Sequence, residues 1–131
     1  MRRTFLFVIA AALLCATAAY AHHSYGATYD VSKSIKLEGK LVQFIFRNPH
    51  AYVSIEVPDQ NGVKQRWAVE WSGTTQLGAQ GVNSGTLKVG DEIMILARPS
   101  RVPNENRALM VTLKRPSDGF TWGAREGERV D

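Results

Sequence analysis

Beyond residue 34 the hydrophobic positions alternate with polar ones in five short runs, the period of half-buried strands. In the first run, Ile35 to Arg47, the residues Ile35, Leu37 and Leu41 share one parity and Val42, Phe44 and Phe46 the other. A long strand that changes face between Gly39 and Val42 predicts a β-bulge or sharp bend, as where one strand serves two parts of a barrel. Asn48-Pro49 then breaks the ladder, because proline has no N–H to donate and pushes the preceding residue out of helical space. The second run, Ala51 to Val57, sets Val53, Ile55 and Val57 on one face and Tyr52, Ser54 and Glu56 on the other; His50, just ahead of it, has the polar parity. Pro58-Asp59-Gln60-Asn61-Gly62 is a turn by composition. The third run, Val63 to Trp71, therefore returns as a hairpin with Val63, Trp67, Val69 and Trp71 inward and Lys64, Arg66, Ala68 and Glu70 outward.

Thr74 to Gln80 predicts a short helix, capped by Thr74 or Thr75, with Leu77 toward the core and Gly81 as its stop. A fourth strand, Glu92 to Arg98, carries Ile93, Ile95 and Ala97 on one face and Met94 and Leu96 on the other. A fifth, Ala108 to Lys114, aligns Leu109, Val111 and Leu113. Three meandering strands, a short helix and two more strands is the order of the oligonucleotide/oligosaccharide-binding (OB) fold. The expected class is all-β: a small five-stranded OB-like barrel over residues 35–115, with one short helix between strands 3 and 4. A generic antiparallel sandwich is the alternative. Residues 22–34 show no sustained period and read as an arm that packs through Tyr25 and Tyr29. Residues 116–131, rich in glycine and charge, read as a flexible tail that Phe120 or Trp122 would pin.

The first 21 residues change the picture of the whole. Arg2 and Arg3 precede an apolar stretch from Phe5 to Leu14, and Ala19-x-Ala21 is a small-residue cleavage site, the three parts of a secretory signal peptide. The stretch is shorter than the roughly 20 residues a membrane span needs. Arg2-Arg3 also resembles part of a twin-arginine signal, so the export route stays open. Cleavage after Ala21 leaves 110 of the 131 residues, enough for one core, in the periplasm or outside the cell. Two of the 16 Lys+Arg leave with the leader, so 14 face 12 Asp+Glu and the formal net charge drops from +4 to +2. That balance lacks the clustered basic face of a nucleic-acid binder. The single cysteine, Cys15, lies in the leader, so the mature chain has neither a disulfide nor thiolate chemistry.

Only three histidines are present, and cleavage would make His22 the first residue. A terminal histidine chelates a metal through its α-amine and one ring nitrogen, and one further imidazole completes a T-shaped set of three nitrogens. This arrangement, the histidine brace, suits Cu(II), which favours tetragonal nitrogen and oxygen donors. The candidate ligands are His22 and His50, with His23 as an extra donor; zinc fits less well because its sites favour four Cys/His ligands or three and a water. Tyr25, Tyr52 and Glu70 are candidate oxygen donors near the site, Tyr52 first because it shares a face with His50. Trp67, Trp71, Met94 and Met110 match the residue types of small OB-fold Cu(I) chaperones, but the tryptophans lie on the apolar parity, where core packing explains them. Glu56 and Glu70 face outward on neighbouring strands and read as solvated charges.

The motifs Ala21-His22-His23-Ser24, Asn48-Pro49-His50-Ala51, Trp67-Ala68-Val69-Glu70 and Leu87-Lys88-Val89-Gly90-Asp91, with the late Pro99 loop, together resemble a known family. It is an uncharacterised family of short exported proteins from Gram-negative bacteria, a domain of unknown function. The resemblance implies a small secreted β-barrel and no particular activity. Members usually finish near an Asp-Gly, where this chain continues past Asp118-Gly119. Two functions are then expected. One is a periplasmic copper-binding protein, not an enzyme, although oxidative chemistry at an open copper position stays conceivable. The other is a metal-free module that binds an envelope protein or glycan through Tyr52, Arg66 and Glu70. A catalytic residue set without metal does not stand out.

Overall fold

The computed structural model describes residue 1 and residues 25–123. Among the described residues six strands form, β1 (Ile35–Ile45), β2 (Tyr52–Pro58), β3 (Lys64–Glu70), β4 (Glu92–Pro99), β5 (Arg107–Arg115) and β6 (Phe120–Trp122), with a short helix, α1 (Thr74–Ala79), between β3 and β4 and a single helical turn at residues 25–28. The sheet order is β3-β2-β1-β4-β5-β6, and a parallel pairing of β3 with β5 closes the first five into a barrel. This is the expected OB-like order, with one strand added at the edge.

β1 serves two neighbours. Its first half, from Ile35 to Lys40, pairs with β4, and its second, from Lys40 to Ile45, with β2. The register slips between Leu41 and Gln43, so Val42 is the bulged residue where the sequence changes parity. Gly39 stands at the crossing because a Cβ there would lie 2.0 Å from the Glu56 carbonyl oxygen. The turn after β2 is closed by the Asp59 N–H to the Val63 carbonyl at 2.8 Å, while the Asp59 carboxylate accepts the N–H groups of Asn61 and Val63. Gly62 supplies the positive φ, 76°. That closure fixes the β2–β3 register, with Tyr52 opposite Glu70 and Ile55 opposite Trp67.

The core joins Leu37 and Leu41 of β1, Val53 and Ile55 of β2, Val69 and Trp71 from β3 and its exit, Leu77 of α1, Ile93 and Ile95 of β4 and Leu113 of β5. Val63, expected inward, is 55% exposed, because it lies in the turn before the ladder begins. β5 also departs from its expected parity. Ala108, Met110 and Thr112 are buried along with Leu113, while Leu109 and Val111 are only half-buried. The cause is a second bulge: Ala97 pairs with Met110 but Leu96 with Thr112, so Val111 is skipped and the inward parity switches along the strand.

Beyond Pro116 a flexible tail pinned by Phe120 or Trp122 was expected, and its first part is built into the fold through these residues. Arg115 holds both Asp118 and Asp91 through its guanidinium, at 2.8 Å each. The chain then turns into β6, where Trp122 packs edge-on against Trp71, with ring centroids 5.0 Å apart. Residues 124–131 of that tail lie outside the described residues. No helix among the described residues is long and apolar enough to cross a membrane.

Candidate functional site

His50 sits where three segments meet. The residue after it, Ala51, extends the β2–β3 ladder: its N–H donates to the Ser72 carbonyl at 3.0 Å, and its carbonyl accepts the Trp71 N–H at 2.8 Å. Two residues earlier, the Asn48 side-chain oxygen accepts the Thr74 N–H at 2.9 Å. Asn48 thereby caps α1 from another loop, in place of the threonine cap expected from sequence; Gly73 occupies the N-cap position without a side-chain bond. Gly73 has no Cβ because one there would approach the Pro49 carbonyl to 2.6 Å. The Asn48-Pro49-His50 loop, the exit of β3 and the start of α1 are therefore locked together, and His50 is held by backbone on both sides.

The imidazole is oriented by a carboxylate that the sequence offered both as an oxygen near the site and as a solvated charge. Glu70 ends β3 with the outward parity expected of it, yet it is 5% exposed, because residues of the arm lie over it. Its Oε1 accepts from His50 Nδ1 and its Oε2 from the Tyr29 hydroxyl. Arg107, at the start of β5, approaches Oε2 at 3.4 Å and donates from Nε to the Tyr29 hydroxyl at 3.1 Å. Burial alone would push the Glu70 carboxyl up, but the bonds from Tyr29 and His50, with the nearby Arg107 charge, hold it below its usual value. Tyr29 is itself buried, and burial together with the Glu70 carboxylate raises its phenol well above the usual value.

With Nδ1–H committed to Glu70, neutral His50 has its lone pair on Nε2. The Tyr25 hydroxyl stands 2.9 Å from Nε2, and the two rings stack at 22°, with centroids 5.3 Å apart. The His50 side chain is 32% exposed and forms one wall of an open cleft of about 620 Å³, lined also by Tyr25, Asn48, Pro49, Gly73, Thr75 and Gln76. An imidazole tied to a buried carboxylate through one nitrogen, with the other turned to Tyr25 at the edge of a cleft, has the second-shell pattern of a metal-ligating histidine. The same pattern orients a general base.

The expected site residues fall as follows. His22 and His23 lie outside the described residues. Among the described residues no group of three or more His, Cys, Asp or Glu side chains converges as a metal cluster. Of the three expected oxygen donors, Tyr25 and Glu70 touch His50, whereas Tyr52 lies under the Arg47 guanidinium, 5.7 Å from its ring centre. The face expected from Tyr52, Arg66 and Glu70 is divided: Arg66 is exposed beside Glu56, but Glu70 is covered and fully engaged. Sequence reading missed Glu70 as the partner of His50, and with it Tyr29 and Arg107. The signal for the arm was present, since Tyr25 and Tyr29 are four apart and the Tyr29 N–H bonds the Tyr25 carbonyl at 2.7 Å, placing both rings on one side of a helical turn.

A family of unknown function, DUF6152, matches residues 11–108, most of the chain, and the protein belongs to it. No curated protein and no solved structure matches the chain.

Proposed function

We propose that this member of the family is a small exported binding protein that holds a copper ion between His22, as the first residue of the mature chain, and His50, with His23 as an additional donor. The observation that carries this reading is the direction of the His50 ring. Glu70 takes Nδ1, so Nε2 faces the arm at Tyr25, and Tyr25 follows His22 by three residues. At 3.8 Å per residue, the Cα atom of His22 lies at most about 11 Å from that of Tyr25. The amine and imidazole of His22 are thus within chain reach of the Nε2 position, and a third nitrogen from His50 would complete the plane that Cu(II) favours. The buried carboxylate behind the imidazole fixes the direction in which its other nitrogen points.

The test is a Cu(II) titration of protein whose first residue is an authentic His22, beside the same protein carrying one extra residue ahead of it. The extra residue turns the α-amine into an amide and removes one donor, so its affinity should drop by an order of magnitude or more. Equal affinity in the two proteins would sink the brace. A second reading, a metal-free module for an envelope protein or glycan, has one observation in its favour: the cleft beside His50 is lined by the neutral groups of Asn48, Thr75 and Gln76. It gains if neither protein binds copper tightly.

A further inference from the structure

We infer that Tyr25 is a displaceable guard on the Nε2 atom of His50, an inference that takes its purpose from the copper reading and its geometry from the fold alone. Once Nδ1 is committed to Glu70, Nε2 is the remaining coordination point of the ring. The Tyr25 hydroxyl occupies it at 2.9 Å, while the phenol ring covers the imidazole face. No metal ion or electrophile reaches that lone pair unless Tyr25 moves.

The stretch from Gly26 to Asp30 is fastened much more firmly than this one side chain. The Arg101 N–H donates to the Thr28 carbonyl at 2.9 Å, and Arg101 Nε to the Gly26 carbonyl at 2.7 Å. The Asp30 N–H reaches the Pro99 carbonyl at 2.9 Å, and Tyr29 forms a bridge with Ser100 besides its buried bond to Glu70. What can yield is the half-buried Tyr25 ring at the start of the turn.

Tyr25→Phe keeps the ring and removes the hydroxyl, and cooperative thermal unfolding will show that the fold survives. Two readouts are taken on protein beginning at His22. The first is the rate at which diethyl pyrocarbonate modifies His50 in metal-free protein, resolved from His22 and His23 by peptide mass spectrometry. The second is Cu(II) affinity measured against a competing chelator. Loss of one net hydrogen bond from Nε2 should raise the rate and tighten copper binding, each by about two- to tenfold. An unchanged modification rate overturns the guard whatever copper does. A faster rate with weaker copper binding also overturns it and makes Tyr25 a ligand. A faster rate with no copper bound by either protein upholds the guard and removes the copper reading.

Discussion

Replacing Glu70 with glutamine tests whether one buried carboxylate organises the site. In the native protein, Glu70 accepts from both His50 and Tyr29 and pairs with Arg107 at 3.4 Å. The amide has the same shape but a single acceptor oxygen, so one of the two bonds is lost and its NH2 group is turned toward a donor. Hydrogen bonds to charged groups are each worth about 1.5 to 3 kcal/mol net, and the more exposed Arg107 contributes little, so the expected loss is about 2 kcal/mol at neutral pH. For a domain of this size, that lowers the melting temperature by roughly 8 to 16 °C. Urea unfolding with matched m-values measures it. The sign of the pH dependence follows from the carboxyl being held below its usual value of 4.5. The folded state favours the ionised form, so the stabilisation is complete above that value and disappears as pH falls through the folded one. The native protein should lose its lead over Glu70→Gln as pH drops below about 4.5, while the remaining carboxyl groups, common to both proteins, cancel in the difference. A gap under about 0.5 kcal/mol, the usual effect of a surface substitution, would refute the reasoning, as would a gap constant down to about pH 3. Glu70 would then be the solvated charge its parity suggests.

Two further substitutions test the frame that holds this site. Gly39→Ala forces a methyl group to 2.0 Å from the Glu56 carbonyl, so β1 and β2 must part; a loss of about 3 kcal/mol in chemical unfolding is expected, and a neutral change would mean that the crossing is looser than described. Trp122→Ala removes the edge-on contact with Trp71 and the bond from its Nε1 to Gln80 at 2.8 Å, so unfolding should cost about 2 kcal/mol less, whereas no change would make β6 an appendage.

The barrel was legible because its local signals are independent and agree. Gly39 and the parity change at Val42 mark the bend of β1, and Asp59 to Gly62 mark the hairpin. The same hairpin carries more than was taken from it. Closure of Asp59 on Val63 sets Tyr52 opposite Glu70, which brings His50 beside the end of β3. What could not be read along the strands is the layer above them. Parity says which way Glu70 points and cannot say that Tyr29, forty-one positions earlier, lies over it. For the same reason the bulge at Val111 escaped notice, since Leu109, Val111 and Leu113 make a convincing alternation and the skipped residue is visible only against β4. Long-range pairing, not propensity, decided both.

The most direct measurement of the copper site is electron paramagnetic resonance of the Cu(II) protein beginning at His22, compared with its His50→Ala variant. The expected native spectrum is that of a tetragonal centre with three nitrogen donors, and the variant should lose one of them and bind more weakly. An identical nitrogen signature in the two proteins would remove His50 from the site, and with it the role proposed for the Glu70 carboxylate behind it.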